Sequence, residues 1–307
     1  VISFLQSDHW KTFQQAYGRK TFSDTGKDWS YLAIKETGTL NTRLYTPYGP
    51  YCLDIDGLDE ALASLQRTAK KEHATFIRVE PTQGITTDQL RIRGFRPVTY
   101  QQLQPSHTQM IDLTQPEEAI LANMSQNSRN ITRNYHKKGI SIRTSYDPAD
   151  IQILTSLLAR VASRNHITPH GDDYFKQQAT TLFPLKAAVL YIAEYEDIPI
   201  AAALVFDSET TRIYAHAAAD DAYRKLSAGT ALVGQMILDA KRIGLTQFDL
   251  YGITDSADPN HPWAGFTKFK RSFGGHSVAY PGAWDLPLRK PSYWLYRIYQ
   301  SIRQTVR

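Results

Sequence analysis

The residues best suited to chemistry lie between Phe266 and Phe273. Three phenylalanines, Phe266, Phe269 and Phe273, alternate there with three cations, Lys268, Lys270 and Arg271. A plain surface helix needs no such mixture. It suits a segment that packs its rings inward and aims its cations into a cleft. An ammonium shielded from water holds developing negative charge more strongly than one in bulk solvent. The stretch is preceded by a short apolar strand, Phe248-Asp249-Leu250-Tyr251, then Gly252 and a polar loop punctuated by Pro259 and Pro262, which exclude regular structure locally. A second basic group, Arg129, Arg133 and Lys137, is spaced i, i+4, i+8, the spacing of one helix face. Such a stripe either tracks nucleic-acid phosphates or is simply solvated. The nine histidines are scattered and none forms a His-Glu-x-x-His pattern, so no metal is expected. No spacing points to a Ser-His-Asp or Cys-His nucleophile.

Composition narrows the partners. A net charge of +5 and a pI of about 9.1 favour an anionic partner, with a mere solubility charge as the alternative. Eighteen tyrosines and five tryptophans suit clefts that stack on sugars or bases. A single cysteine, Cys52, excludes an intrachain disulfide framework and a cysteine-rich zinc site, and fits a reducing compartment. No apolar run approaches the ~20 residues of a membrane span. The opening Val1-Ile2-Ser3-Phe4-Leu5 lacks a basic region before a long apolar segment, so no signal peptide is expected and the expected location is the cytoplasm.

The elements that must position these residues can be read from periodicity. Ser7 to Tyr17 reads as a short helix, Ser30 to Lys35 and Thr42 to Tyr45 as a hairpin, Leu58 to Lys71 as an amphipathic helix, and Thr75 to Val79 as a strand. Further on, Met110 to Leu113 reads as a strand, followed by a helix with Thr114 as N-cap. Asn127 to Lys138 reads as helical and stopped by Gly139; Ile151 to Asn165 is another helix. Leu190 to Glu194 and Ile200 to Phe206 read as strands joined by a Glu196-Asp197-Ile198-Pro199 turn. Thr211 to Ala217 is a third strand, Gly229 to Ile243 a strongly periodic helix, and Phe248 starts the next strand. Hairpin, helix, strand thus recurs in the two halves, as if one α/β unit were used twice. Tyr293 to Tyr299 forms an amphipathic basic helix, expected to pack on a domain in preference to a membrane.

The pair Phe269-Lys270 with Phe273-Gly274-Gly275, after Asp249-Leu250-Tyr251-Gly252-Ile253, resembles the FemABX peptidoglycan aminoacyltransferases. Leu5-Gln6-Ser7 with Trp10 resembles the family's opening, and Tyr45-Thr46-Pro47-Tyr48-Gly49-Pro50 its Pro-x-Gly-Pro strand end. Arg129-Asn130-Ile131-Thr132-Arg133 with Lys137-Lys138-Gly139-Ile140 resembles its Arg-x-Asn-Ile-Arg helix. Each motif alone is weak; the ordered set, from near residue 5 to near 285, is specific. The resemblance implies an α/β (α+β) chain of two tandem domains like those of the N-acetyltransferase (GNAT) superfamily, with a cleft between them. The first would take residues 1–108 and 282–307 and meet the precursor; the second, 109–281, would face the aminoacyl-tRNA. No heptad segment is long enough for the coiled-coil arm of some members, so the chain is similar to the arm-less ones that act on a soluble UDP-linked precursor.

The same resemblance implies the reaction: an amino acid passes from tRNA to the peptide stem of UDP-MurNAc-pentapeptide. It assigns Lys270 to the oxyanion and Phe269 to stacking on the terminal adenosine. Arg164 would meet the precursor diphosphate, Tyr214 the precursor cleft, and Glu80-Pro81 the acidic strand end of the first domain. Tyr48 belongs with that end, and Tyr251 or Asp249 would orient the attacking amine or be structural. A family lysine after the opening Trp falls near Gln14, where Lys11, Arg19 or Lys20 would substitute. Arg129, Arg133, Lys137 and Arg271 would meet tRNA. The acetyltransferase phosphate loop corresponds to Arg224-Lys225-Leu226-Ser227-Ala228-Gly229, where Ser227 replaces a glycine and its Cβ crowds the phosphate. No cofactor is expected, and a monomer without stable membrane insertion is. The alternatives are a non-catalytic tRNA- or muramyl-precursor-binding protein of the same fold, and a GNAT-type acyl-CoA transferase.

Overall fold

Ser7 starts the first helix: its hydroxyl accepts from the Trp10 N–H at 3.2 Å, and Trp10, Phe13 and Gln14 then form the buried face of α1 (Asp8–Ala16). Just before it, Gln6 clamps two strands. Its amide donates to the carbonyls of Leu32 and Pro47 and accepts from the Leu32 N–H. The strands of this region are β1 (Thr21–Thr25), β2 (Trp29–Thr37), β3 (Thr42–Pro47) and β4 (Tyr51–Cys52). Asp54 then caps α2 (Ile55–Lys71) through the Gly57 N–H at 2.7 Å. Leu58, Ala61, Leu62, Leu65 and Ala69 make its buried face, and Lys70 and Lys71 sit in the last turn, where cations suit the helix dipole. β5 (Phe76–Glu80), α3 (Thr87–Ile92) with a Thr86/Gln89 capping box, and β6 (Arg96–Pro97) follow.

Next come β7 (His107–Asp112), α4 (Glu117–Asn123), α5 (Gln126–Asn134), β8 (Ile140–Ser145), α6 (Ile151–Asn165) and α7 (Asp172–Leu182). After them stand β9 (Ala188–Tyr195), β10 (Ile198–Asp207), β11 (Thr211–Ala219), α8 (Ala228–Arg242), β12 (Gln247–Gly252), α9 (Ala264–Arg271) and β13 (His276–Ala279). The chain finishes with β14 (Trp284–Pro287) and α10 (Lys290–Thr305). The computed structural model describes residues 2–39, 41–82, 84–165 and 170–305, without the side chains of residues 164, 165 and 303–305.

Two units result, Val1–Ser106 with Ala279–Arg307, and His107–Val278. The first is built on a sheet ordered β1-β2-β3-β5-β14-β6, with β4 on β2; the second on β13-β7-β12-β11-β10-β9-β8. Each sheet holds a parallel pair, β3 with β5 and β11 with β12, bridged by α2 and α8 respectively. A parallel pair needs such a crossover because a tight turn can join only antiparallel strands. The first core gathers Leu44, Leu58, Leu62, Ile77, Val79 and Trp284; the second gathers Val205, Leu232, Met236, Phe248 and Phe273.

Several readings from sequence need correction. Thr114 does not cap α4: its hydroxyl and N–H both bond Asp112, and Pro116 precedes the helix without a side-chain cap. The turn between β9 and β10 is only Glu196-Asp197, both at positive φ (50° and 61°), which is the two-residue turn that matches strand twist. The stripe Arg129, Arg133, Lys137 is not carried by one helix. α5 ends at Asn134, whose side-chain amide bonds the Asn130 carbonyl, and Lys137 sits on the following 3-10 turn, Tyr135–Lys138.

Candidate active site

The second unit opens where its parallel pair ends. β11 and β12 pair only from Thr211↔Gln247 to Ile213↔Asp249. Beyond Asp249 the register of β12 against β7 also shifts, and Tyr251 takes a left-handed φ of 61°. A tyrosine there is strained, since its Cβ crowds the backbone, and such residues gather where a site over-determines them. The separated strands leave a cavity of about 750 Å³. One wall is β11, where Ala215, Ala217 and Ala219 are too small to fill it. Tyr214 and Tyr251 also line it, and α9 supplies Phe266, Phe269 and Lys270. The far wall is the start of α8 with Arg224, Ser227 and Gly229.

Local packing fixes the α9 side chains. Phe269 meets Phe273 edge to face at 5.3 Å against the core, which leaves the adjacent Lys270 to turn to the cavity. The Lys270 ammonium donates to the Gly252 carbonyl at 2.7 Å. Burial pushes its pKa down from 10.5 to about 8, and the nearby Asp249 carboxylate partly restores it. Asp249 is itself buried, which raises its pKa, while bonds from the Thr108 hydroxyl and the Tyr251 N–H (2.7 Å) favour its charged form. Burial alone raises the Tyr214 phenol well above its ordinary value. The cavity thus holds a half-desolvated ammonium beside aromatic rings and a strand of alanines. It can hold a flat ring system and stabilise an oxyanion.

The structure therefore brings together Lys270, Phe269, Tyr214 and Tyr251. Arg271 is exposed on the other side of α9, near Thr254, Asp258 and Lys268. Arg129 donates to the Ala122 carbonyl at 3.1 Å, Arg133 pairs with Glu118 at 2.5 Å, and Lys137 is exposed. Arg164 lies on α6, but its side chain is outside the described residues. In the first unit, Glu80 is buried and filled: the Tyr45 hydroxyl and the N–H groups of Leu103 and Gln104 all donate to it. Tyr48 is buried, at φ 50°, and its hydroxyl donates to the Pro105 carbonyl. Lys11 donates to Ser23 on the surface, and Gln14 is buried and accepts from Arg19 at 3.0 Å. Among the described residues no cluster of three or more His, Cys, Asp or Glu is placed to hold a metal ion. Phe266 does not pack inward as the alternation of rings and cations implies: it is exposed and lines the cavity. The cavity-wall alanines were not among the site residues expected from sequence. The run Ala215-His216-Ala217-Ala218-Ala219 is the signal, because a strand of alanines leaves room for something else beside it.

Solved structures place the architecture. Over 95% of this chain and 94% of the other, FemX superposes with a TM-score of 0.83 at 16% identity. L-PGS from Bacillus licheniformis matches with 0.61 at 11% identity, over 94% and 96%. A tandem GNAT protein from the clavulanic acid biosynthesis pathway matches with 0.50 at 13% identity, over 85% and 79%. The fold is two tandem GNAT-like domains. The profile of the FemAB family matches residues 90–196 and 186–301, more than half of the chain, and the chain belongs to that family. Aminoacyltransferase FemA of Staphylococcus aureus is 24% identical over 110 residues, 36% of this chain. The match spans about a quarter of that relative's length, 26%.

Proposed function

We propose that the protein is an aminoacyltransferase of peptidoglycan bridge synthesis, moving an amino acid from aminoacyl-tRNA to the peptide stem of a muramyl precursor such as UDP-MurNAc-pentapeptide. The observation that carries this reading is Lys270, a half-desolvated ammonium flanked by Phe269 in a cavity of the second unit, in a chain of the FemAB family. The similarity to an aminoacyltransferase of Staphylococcus aureus supports the reaction class.

In this reading the stem amine attacks the ester carbonyl carbon. The new C–N bond forms, the carbonyl electrons move to oxygen, and the Lys270 ammonium holds that oxyanion. The oxyanion then collapses, the C–O bond to the ribose breaks, and the 3′-hydroxyl leaves with the proton the amine gives up. The ester is already activated, so positioning and electrostatics suffice and no covalent enzyme intermediate is needed. Phe269 and Phe266 offer faces to the terminal adenine. Arg164 is proposed for the precursor diphosphate, because a planar multi-donor cation matches it better than lysine does. Glu80 and Tyr48 would act on the precursor side by shaping the 103–105 segment, and Lys11 from the surface of the same unit; Arg129, Arg133, Lys137 and Arg271 would meet tRNA phosphates. Ser227 holds a left-handed φ of 62° at the start of α8, which supports loss of the acyl-CoA phosphate loop.

The test incubates the protein with a mixed pool of charged tRNA and UDP-MurNAc-pentapeptide and weighs the precursor by mass spectrometry. A gain of one amino-acid residue that ribonuclease pretreatment abolishes is expected. Acetylation from acetyl-CoA in place of that gain would establish the acyl-CoA reading, and tight precursor binding without any gain the non-catalytic one.

A further inference from the structure

α10 is apolar on two sides. Tyr293 and Tyr296 are buried against Phe76, with ring centroids at 5.3 and 5.2 Å, and they fasten the helix to the first unit. Packing onto a domain therefore accounts for one face only. Trp294, Leu295, Ile298, Tyr299 and Ile302 remain 41–64% exposed. At about 100° per residue these five cover an arc of roughly 140° on the side opposite Tyr293 and Tyr296. A contiguous exposed stripe of that kind marks an interaction surface, unlike scattered apolar residues.

The charge pattern names the partner. From Arg289 to Arg307 the sequence carries five cations and no Asp or Glu. Arg96 stacks on the exposed Trp294 ring at 5.2 Å and adds a further cation at the border of the stripe. Arg297 folds back over the Tyr100 ring at 4.8 Å and Arg289 bonds His73, which leaves, among the described side chains, the exposed Lys290 and Arg96. We propose that α10 docks the protein on an anionic lipid surface, its apolar arc in the acyl boundary and these two cations among the headgroups. An apolar face framed by cations and bearing Trp and Tyr is the pattern of a helix lying in a membrane interface. A second copy is a poorer occupant, since pairing two such helices would bring cations together with no acid on either helix to pair them. No helix among the described residues is long and apolar enough to cross a membrane. This binding is independent of the transfer reaction.

The experiment is flotation of the full chain with phosphatidylglycerol/phosphatidylcholine vesicles and with phosphatidylcholine vesicles alone. Binding to the anionic vesicles is expected, weakened by salt. Leu295→Glu with Ile298→Glu should reduce it about tenfold or more. Leu295→Ser with Ile298→Ser adds no charge and serves as the second variant, and both should keep the wild-type circular dichroism. On the unmodified chain, a doxyl-labelled lipid should quench fluorescence, and Trp294→Phe should remove most of that quenching. No flotation with anionic vesicles, equal flotation of both double variants and wild type, or a concentration-dependent dimer that the serine variant abolishes would each overturn the proposal.

Discussion

The two units answer the same structural problem differently. In each, a buried carboxylate stands on the strand that follows the crossover helix, Glu80 on β5 and Asp249 on β12, and burial raises the pKa of both. In the first unit β3 and β5 stay paired through Pro47↔Glu80, and the 103–104 backbone closes over the carboxylate with two N–H bonds. In the second unit pairing of β11 and β12 stops at Ile213↔Asp249, and the carboxylate faces a lysine at the edge of a cavity. One repeat has used its carboxylate to close a strand end; the other has used it to hold up the pKa of an ammonium beside open space. Where the parallel pair parts decides whether the strand end is closed or opens on a cavity.

The closed unit should be the more sensitive to loss of a buried charge. Arg78 and Asp285 are both fully buried and bidentate at 2.8 and 2.9 Å, and Tyr100 and Tyr293 also bond the carboxylate. Arg78→Ala leaves Asp285 buried without its counter-charge, and about 3–5 kcal/mol of stability should be lost. The matching pair in the second unit, Arg212 with Asp207, reaches water through a carboxylate that is 16% exposed, so Arg212→Ala should cost less. Urea midpoints of the two variants check this; an equal or inverted loss would break the contrast.

The open unit should be the more sensitive in rate. Lys270→Met keeps the approximate volume and removes the charge, and transfer should fall about 100-fold or more, the scale of one lost oxyanion donor. Lys268 is exposed on the same helix, and Lys268→Met is the control. Equal, near-normal single-turnover rates in both variants would make Lys270 an ordinary lysine. A smaller effect tests Asp249. The ammonium form of Lys270 predominates below about pH 8, so the rate should decline above that pH. Asp249→Asn removes the charge that lifts the Lys270 pKa, so the descending limb should move to lower pH. A limb that stays in place would separate Asp249 from the lysine.

Much of this contrast was written in local pattern, and the rest was not. The crossover helices showed themselves through apolar spacing, as in Leu232, Val233, Met236, Ile237 and Ala240, and Phe269-Lys270 marked the cavity through its mixture of rings and charge. β14 escaped because Trp284–Pro287 is four residues with a proline, and its pairing with β5 joins residues about two hundred positions apart. β1 escaped because an edge strand of Thr, Ser and Asp buries little and so shows no alternation. The fate of Glu80 was likewise illegible. The groups that fill it come from Tyr45 and the 103–104 backbone, and no spacing in the sequence announces backbone donors.

The smallest expected effect is on stability, and it sharpens the view of Lys270 as a desolvated ammonium. In the unfolded chain a lysine titrates near its ordinary value, while in the folded protein burial holds Lys270 at about 8. Between about pH 8 and that ordinary value the unfolded chain therefore binds more protons than the folded one. Stability rises with pH wherever that holds. Wild type should gain relative to Lys270→Met as pH rises through this window, and the advantage should vanish as pH falls below about 8. Lys270 is only half-buried, so the gap in melting temperature should open by a few degrees at most. Paired melts at pH 7 and pH 10 measure it. A gap that is the same at both values would mean that Lys270 is fully hydrated, and the contrast between a closed and an open strand end would lose its electrostatic half.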